Sequence, residues 1–309
     1  MTALAIPAAA PVLGRVLARS LQPRRPMSVS QWCDEEMVLS SKTSGKPGRW
    51  RTSNNPPLQL PMDALSARSP VQDVVCMFPI QFGKSQIASN VLAYWMDYAP
   101  APIMYALPGE ASLNKWIAQK LNPMLEVVPA VRRALTSTAT RDSANQRTFK
   151  DFAGGQLYVE HAGSPQRLKS TTVKYLIVDE LDEFAASLGS GDDPVAMLEG
   201  RTSSFPSTYK RLYISTPTIE GLSRIAELYA KSTRSQLHVP CPHCEHYQPL
   251  EWSGLHWSAD AKHAWYACRE CGACIEESHK TDMIAAGRWV ARNPESPILG
   301  VTSNCLYYQ

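Results

Sequence analysis

Short apolar runs separated by amphipathic stretches are the strongest pattern in this chain. Residues 73–78, 102–107 and 175–178 are apolar with almost no alternation, as in strands buried on both faces of a parallel sheet. Residues 156–160 alternate, and 211–218 run from a strand into a Ser-Thr-Pro exit. Helical periodicity fills the gaps. Ile87, Val91 and Trp95 recur on one stripe after the first run, and 109–121 predicts a helix after the second. Residues 28–48 open with a helix that Ser28 or Ser30 caps, with acids in its first turns, and close at Gly45-Lys46-Pro47-Gly48. Strands alternating with helices predict an α/β fold with a mostly parallel central sheet flanked by helices.

Composition changes this picture little. The 309 residues carry 31 Lys+Arg against 28 Asp+Glu, and a net +3 selects no partner, because basic residues can gather on one face of a nucleic-acid protein. The 24 prolines are scattered, which predicts many loops, and there is no internal repeat. No apolar run approaches the ~20 residues that cross a bilayer. Residues 1–26 are mildly apolar and carry arginines, but no charged region precedes the apolar part, and Pro7 and Pro11 interrupt it. An arm, or a start at Met27, is expected there, with a short amphipathic helix over 12–21 as the second reading. Trp50 precedes the loop Asn54-Asn55-Pro56-Pro57, where it serves as a packing anchor or as a surface for a base.

Candidate chemistry begins with Asp179 and Glu180, which leave the carboxyl end of the 175–178 strand, the edge where open α/β sheets bind ligands. A strand ending in solvated acids would look the same. The loop Gln81-Phe82-Gly83-Lys84-Ser85 separates the two readings, because it joins a buried strand to an amphipathic helix as a phosphate-binding loop does. Backbone N–H groups around Gly83 would face phosphates, Lys84 would reach the outer ones, and Ser85 would ligate Mg²⁺. Asp179 then suits the metal and Glu180 an attacking water. The loop departs from G-x-x-x-x-G-K-[ST], since Phe78 stands at the first glycine. Ser215 and Thr216, at the tip of a strand neighbouring the acidic one, can feel the outer phosphate, or they form an ordinary Ser-Thr-Pro turn. Between 123 and 153 the chain is polar and basic, with Arg132, Arg133, Arg141, Arg147 and Lys150, a solvated surface or a face for DNA or a neighbour.

Five of eight cysteines fall within 241–274. Clustered in this way they argue for a metal in a reducing compartment and against a disulfide framework. Cys241/Cys244 and Cys268/Cys271 form two C-x-x-C knuckles 23 residues apart, which predicts a closed Cys₄ zinc site of structural type. Trp252, Trp257, Trp265 and Tyr266 supply small strands around it. Cys274 is a spare or alternate ligand, and His243 and His246 are competing donors.

With the loop, the acidic strand, the Ser-Thr-Pro exit and the ribbon in this order, the chain resembles the large subunit of a tailed-phage terminase, in the lambda-like branch. The resemblance rests on Pro47-Gly48-Arg49-Trp50, Gln81-Phe82-Gly83-Lys84-Ser85, Val178-Asp179-Glu180-Leu181-Asp182, Ser215-Thr216-Pro217-Thr218-Ile219-Glu220-Gly221-Leu222-Ser223 and Val239-Pro240-Cys241-Pro242-His243-Cys244. It implies a P-loop ATPase that uses ATP with Mg²⁺ to drive double-stranded DNA into a procapsid. It also implies a homo-oligomeric ring at the portal protein, a small terminase subunit as partner, and the cytoplasm of a bacterial host. Carried over by position, Lys84 and Glu180 are catalytic, Gln81 to Ser85 bind nucleotide, Ser85 and Asp179 hold magnesium, and Ser215 and Thr216 couple hydrolysis to movement. The expected division is an arm and helix over 1–48, an ATPase domain over 49–236, a zinc-ribbon-like β insertion over 237–277, and a helix and linker over 278–309.

Two departures stand out. Many terminases carry an arginine inside the phosphate loop, whereas Pro79, Ile80, Gln81 and Phe82 offer none, so the charge must come from elsewhere; Arg147, Arg167, Arg201 and Arg211 are candidates. Family members also continue into a nuclease domain, and residues 300–309 resemble the linker before it, so no endonuclease activity is expected of these residues. Two other readings remain. One is a prophage remnant that binds DNA or terminase partners without turnover. The other is a helicase-like ATPase with a zinc ribbon, which predicts further helicase motifs that the sequence lacks.

Overall fold

Alternation along the central strands divides their side chains between two cores. In the computed structural model, which describes residues 24–135, 146–163, 171–189, 191–260 and 262–303, these strands form one ten-stranded sheet. The elements that frame it are α1 (Val29–Glu36), β1 (Asp73–Met77), α2 (Lys84–Asp97), β2 (Ile103–Leu107) and α3 (Glu110–Trp116). There follow β3 (Phe149–Phe152), β4 (Gly155–His161), β5 (Tyr175–Asp179), β6 (Lys210–Ser215), α4 (Arg224–Ala230), β7 (Ser235–Pro240) and β8 (Tyr247–Pro249). The last strands are β9 (Leu255–Trp257), β10 (Ala264–Ala267), β11 (Cys274–Ile275), β12 (Arg288–Val290) and β13 (Leu299–Thr302).

Across the sheet the order is β8-β7-β13-β1-β6-β5-β2-β4-β3, with β12 also paired to β7. The strands from β7 to β4 are parallel, while β3, β8 and β12 pair antiparallel at the margins. Val74, Cys76, Ile103, Tyr105, Tyr175, Ile177, Leu212 and Ile214 enter the core beneath α2. Val75, Met104, Ala106, Leu176, Val178 and Tyr213 enter the other, with Ile225 of α4. Continuous apolar runs were thus legible as strands because both faces are covered. The expected mostly parallel central sheet flanked by helices is what the chain forms.

Several local expectations change. Ser28 caps α1 through a reciprocal capping box with Gln31, but Asp34, Glu35 and Glu36 close that helix instead of opening it. Trp32 donates from Nε1 to Asp97 Oδ2 at 2.9 Å, tying α1 to the end of α2. Trp50 is buried, with its Nε1 donating to Thr52 Oγ1 at 3.0 Å, so it is an anchor and not a stacking surface. The helix expected over 109–121 is α-helical to Trp116 and continues as a π-turn, Ile117–Leu121, that leads straight into a further α-helical segment, Asn122–Val127. β6 stops at Ser215, two residues before Pro217, which cannot donate to a ladder. Residues 237–240, expected in the zinc module, and 299–302, expected in a linker, are strands of the central sheet; β13 lies directly beside β1. The helix expected over 12–21, Arg141, the 164–170 loop with Arg167, and residues 304–309 lie outside the described residues.

Gly300 in β13 fixes how closely the loop after α4 approaches the sheet. A Cβ there would overlap Ser232 Oγ and sit 3.1 Å from Tyr229 Cδ2. Ser232 is fully buried and donates to Tyr229 O at 2.6 Å, so it cannot swing away freely. Gly300→Ala is expected to destabilise the protein by about 1–3 kcal/mol through overpacking. Urea unfolding measures this as a lower midpoint with an unchanged slope.

Candidate functional site

The loop between β1 and α2 is pinned from below by aromatic packing. Phe78 and Phe82 are both buried with ring centroids 4.4 Å apart, and Phe78 also lies 6.2 Å from Trp289. The residue that replaces the first glycine of the usual motif is therefore an apolar anchor. Phe82, expected among the nucleotide-binding residues, turns its side chain into the core, which leaves only its backbone to face a ligand. Gly83 caps α2 with φ 104°, a left-handed conformation, and a Cβ there would come 2.9 Å from Leu58 Cδ1. The left-handed backbone is what selects glycine. Gln81 is exposed, also with positive φ (63°).

Lys84 and Ser85 follow in the first turn of α2. The Lys84 ammonium donates to Phe78 O and Pro79 O, both at 2.9 Å, and to Thr216 Oγ1. Burial pulls its pKa below the ordinary lysine value, while Asp179 and Glu180 push it up. One side chain thus links the loop to the tip of β6.

Asp179 ends β5 with 7% of its surface exposed. Its Oδ2 accepts the Tyr105 hydroxyl at 2.6 Å and its Oδ1 accepts Glu180 N at 3.0 Å. Tyr105 pairs with Ile177 across β2 and β5, so Asp179, two residues on, stands on the same face within reach. Burial raises the Asp179 carboxyl above its usual range, opposed by those two hydrogen bonds and by Lys84. Glu180 is exposed, with φ 59° turning it out of the strand line. Burial, Asp179 and Glu183 raise its pKa, against Lys115 and Lys84. Ser85, Asp179 and Glu180 border one cavity of about 480 Å³. A hydroxyl and a buried carboxylate form an oxygen donor set that fits Mg²⁺.

β6 lies between the loop strand and the acidic strand, so Ser215 and Thr216 sit between the two halves of the site. Ser215 O accepts Phe78 N at 3.2 Å, and Ser215 Oγ accepts Asp182 N at 3.1 Å. Asp182 reaches further. Its Oδ2 accepts Thr218 N (2.9 Å) and Thr218 Oγ1 (3.0 Å), and its Oδ1 accepts Ile225 N (2.8 Å) in the first turn of α4. Burial would raise the Asp182 carboxyl, but bonds from Ser223, Ile225 and Thr218 outweigh it and hold the pKa below the usual range.

The sulfur atoms of Cys241, Cys244, Cys268 and Cys271 lie within 4.8 Å of one another. Cys241 and Cys271 are 3.9 Å apart, and Cys244 and Cys268 3.7 Å. A tetrahedron with zinc–sulfur bonds of ~2.3 Å has edges of ~3.8 Å, so the four thiols fit that ion. The three-stranded ribbon β9-β10-β11 stands beside them. Among the described residues, neither Cys274 nor a histidine joins this cluster.

Residues 44–289 match the family described as phage terminase large subunit gpA, ATPase domain. The chain belongs to that family. No curated protein matches it. Among solved structures, the large terminase of bacteriophage HK97 is similar with TM-score 0.51 at 12% identity, over 67% of this chain and 42% of that one. At that identity the likeness is one of fold, and the chain spans less than half of the HK97 protein's length. The ATPase domain of the large terminase of Thermus phage P74-26 aligns over 76% of this chain and 77% of its own, at 12% identity and TM-score 0.39.

Of the arginines that were candidates for the missing loop charge, Arg211 opens β6 at the opposite edge of the sheet, where it faces Asp73 at 3.5 Å and stacks over Tyr209. Arg201 also lies at that edge, its backbone oxygen accepting Val173 N before β5 and its Nε donating to Met197 O. Arg147 precedes β3, beyond β4 at the margin of the sheet. Tyr105, Asp182 and Lys115 went unassigned in the sequence. Asp182 carried one signal, its place in the Asp-Glu-Leu-Asp run. The other two depend on strand register and helix placement.

Two measurements test these assignments. Asp182→Ala is expected to cost about 1–2 kcal/mol at neutral pH, from the lost hydrogen bonds that leave Thr218 N and Ile225 N unpaired. Because the folded pKa is depressed, this contribution is present above the unfolded value near ~4 and is lost as pH falls through the folded value. Wild-type and variant unfolding midpoints should therefore converge in acid. Metal analysis of purified protein should find roughly one zinc per chain, and Cys241→Ser or Cys268→Ser should abolish it; unchanged metal content refutes the site.

Proposed function

We propose that this chain hydrolyses ATP at the carboxyl edge of the sheet and, as part of a terminase large subunit, drives double-stranded DNA into a procapsid. The observation that carries the reading is the meeting of Gly83-Lys84-Ser85 with Asp179-Glu180 around the strand that bears Ser215 and Thr216. Family membership supports it.

Backbone N–H groups of the loop and the first turn of α2 bind the phosphates. Lys84 exchanges the carbonyls of Phe78 and Pro79 for phosphate oxygens, and Thr216 loses its partner in the same movement. Bound magnesium would screen the phosphate charge, with Ser85 and Asp179 holding it. Tyr105 keeps the Asp179 carboxylate aimed into the cavity. Glu180, exposed and with a raised pKa, orients the attacking water and takes its proton. Ser215 and Thr216 pass the state of the site to Asp182 and the 216–223 loop.

Partners follow as part of the same proposal: a small terminase subunit, the portal protein, and further copies of this chain in a ring, within the cytoplasm of a bacterial host. Among the described residues no helix is long and apolar enough to cross a membrane.

The test is Mg-ATP hydrolysis with and without double-stranded DNA. Lys84→Ala should weaken nucleotide binding. Glu180→Gln should retain it and lose about 100-fold or more in turnover. Equal rates for wild type and both variants would remove the proposed site. Nucleotide binding without phosphate release, with DNA and small subunit present, would instead identify an inactive remnant.

A further inference from the structure

The cavity at the acidic pair has a second wall. Asp179, Glu180 and Glu183 line one side, and Ser112, Lys115, Gln119 and Lys120 line another. Those four residues, with Trp116, fall at i, i+3, i+4, i+7 and i+8 along α3 and its π-turn, so they form one helical face. Acceptors therefore confront donors across about 480 Å³.

The donor wall is fixed by the same contact that fixes the metal carboxylate. Trp116 stacks on Tyr105 with centroids 3.8 Å apart, and the Tyr105 hydroxyl holds Asp179 at 2.6 Å. Lys115 precedes Trp116, so its stem springs from a support locked to Asp179. The π-turn that continues α3 widens the helix at this point, a distortion that recurs at functional sites.

Three carboxylates with a triphosphate concentrate negative charge, and the loop contributes one lysine and no arginine. We propose that Lys115 is the in-chain cation that meets the outermost phosphate of a bound nucleoside triphosphate and supplies the charge missing from the loop. Its role is to neutralise the outer phosphate as negative charge spreads over its oxygens, and to distinguish triphosphate from diphosphate. This rests on the ATPase reading of the same site.

Lys115 is exposed at the cavity rim, so substitution there should leave folding intact; the melting temperature of each variant checks this. Wild type, Lys115→Ala, Lys115→Gln and Lys115→Arg are compared for kcat and KM with Mg-ATP. Equilibrium binding of fluorescent ADP, and its competition by a non-hydrolysable ATP analogue, supplies a readout apart from turnover. Lys115→Ala and Lys115→Gln should lose roughly 100-fold in kcat and at least about tenfold of the preference for triphosphate over diphosphate, with ADP affinity unchanged. Lys115→Arg should recover part of both. Wild-type kcat and wild-type triphosphate preference in Lys115→Ala would overturn the proposal, even where Lys84→Ala still fails and the ATPase reading stands. A wild type that binds no nucleotide would overturn both.

Discussion

The hydrogen bond between the Tyr105 hydroxyl and Asp179 is the constraint on which the site depends. A carboxylate this buried is costly to ionise, and burial raises its pKa above the usual range. The phenol and the Glu180 amide favour its charged form and fix its direction. The phenol does so from the neighbouring strand, so the aim of the carboxylate is set by sheet register and not by a mobile loop. Tyr105 in turn is held by the Trp116 ring, and through it the helix after β2 is locked to the acidic strand.

Loop and acids are linked by side chains that reach across β6. Lys84 touches Thr216, and Asp182 touches Ser215, Thr218 and the first turn of α4. None of these contacts is large in energy. Their importance is that each bridges two elements that a ligand would also bridge, so a ligand competes with or reinforces bonds already present in the protein.

How much of this was legible depended on whether the information is local. Runs such as 73–78 and 175–178 declare themselves because both faces are buried, and Gly83-Lys84-Ser85 declares itself because the chemistry needs those residues in sequence. The two cysteine knuckles are local for the same reason. Phe78 looked like a defect in the motif, and only packing against Phe82 and Trp289 explains it. Tyr105 sat unnoticed inside an apolar run, since its partner lies 74 residues away. Residues 299–302 looked like a linker because a four-residue strand carries too little pattern to show that it pairs with β1. Lys115 was one lysine on a helix until strand order brought that helix over the acids.

The position of β6 has a mechanical consequence. Strands stand about 4.8 Å apart, so the backbones of β1 and β5 are separated by roughly twice that distance, with one strand between them. Any group that touches both the loop and Asp179-Glu180 must span this gap. Ser215 is hydrogen-bonded to Phe78 on one side and to Asp182 on the other, so it feels both ends of the span. From that shared residue the chain runs straight into the 216–223 loop, so the one backbone segment in contact with both halves of the site leads directly to the exposed side chains of Ile219 and Leu222.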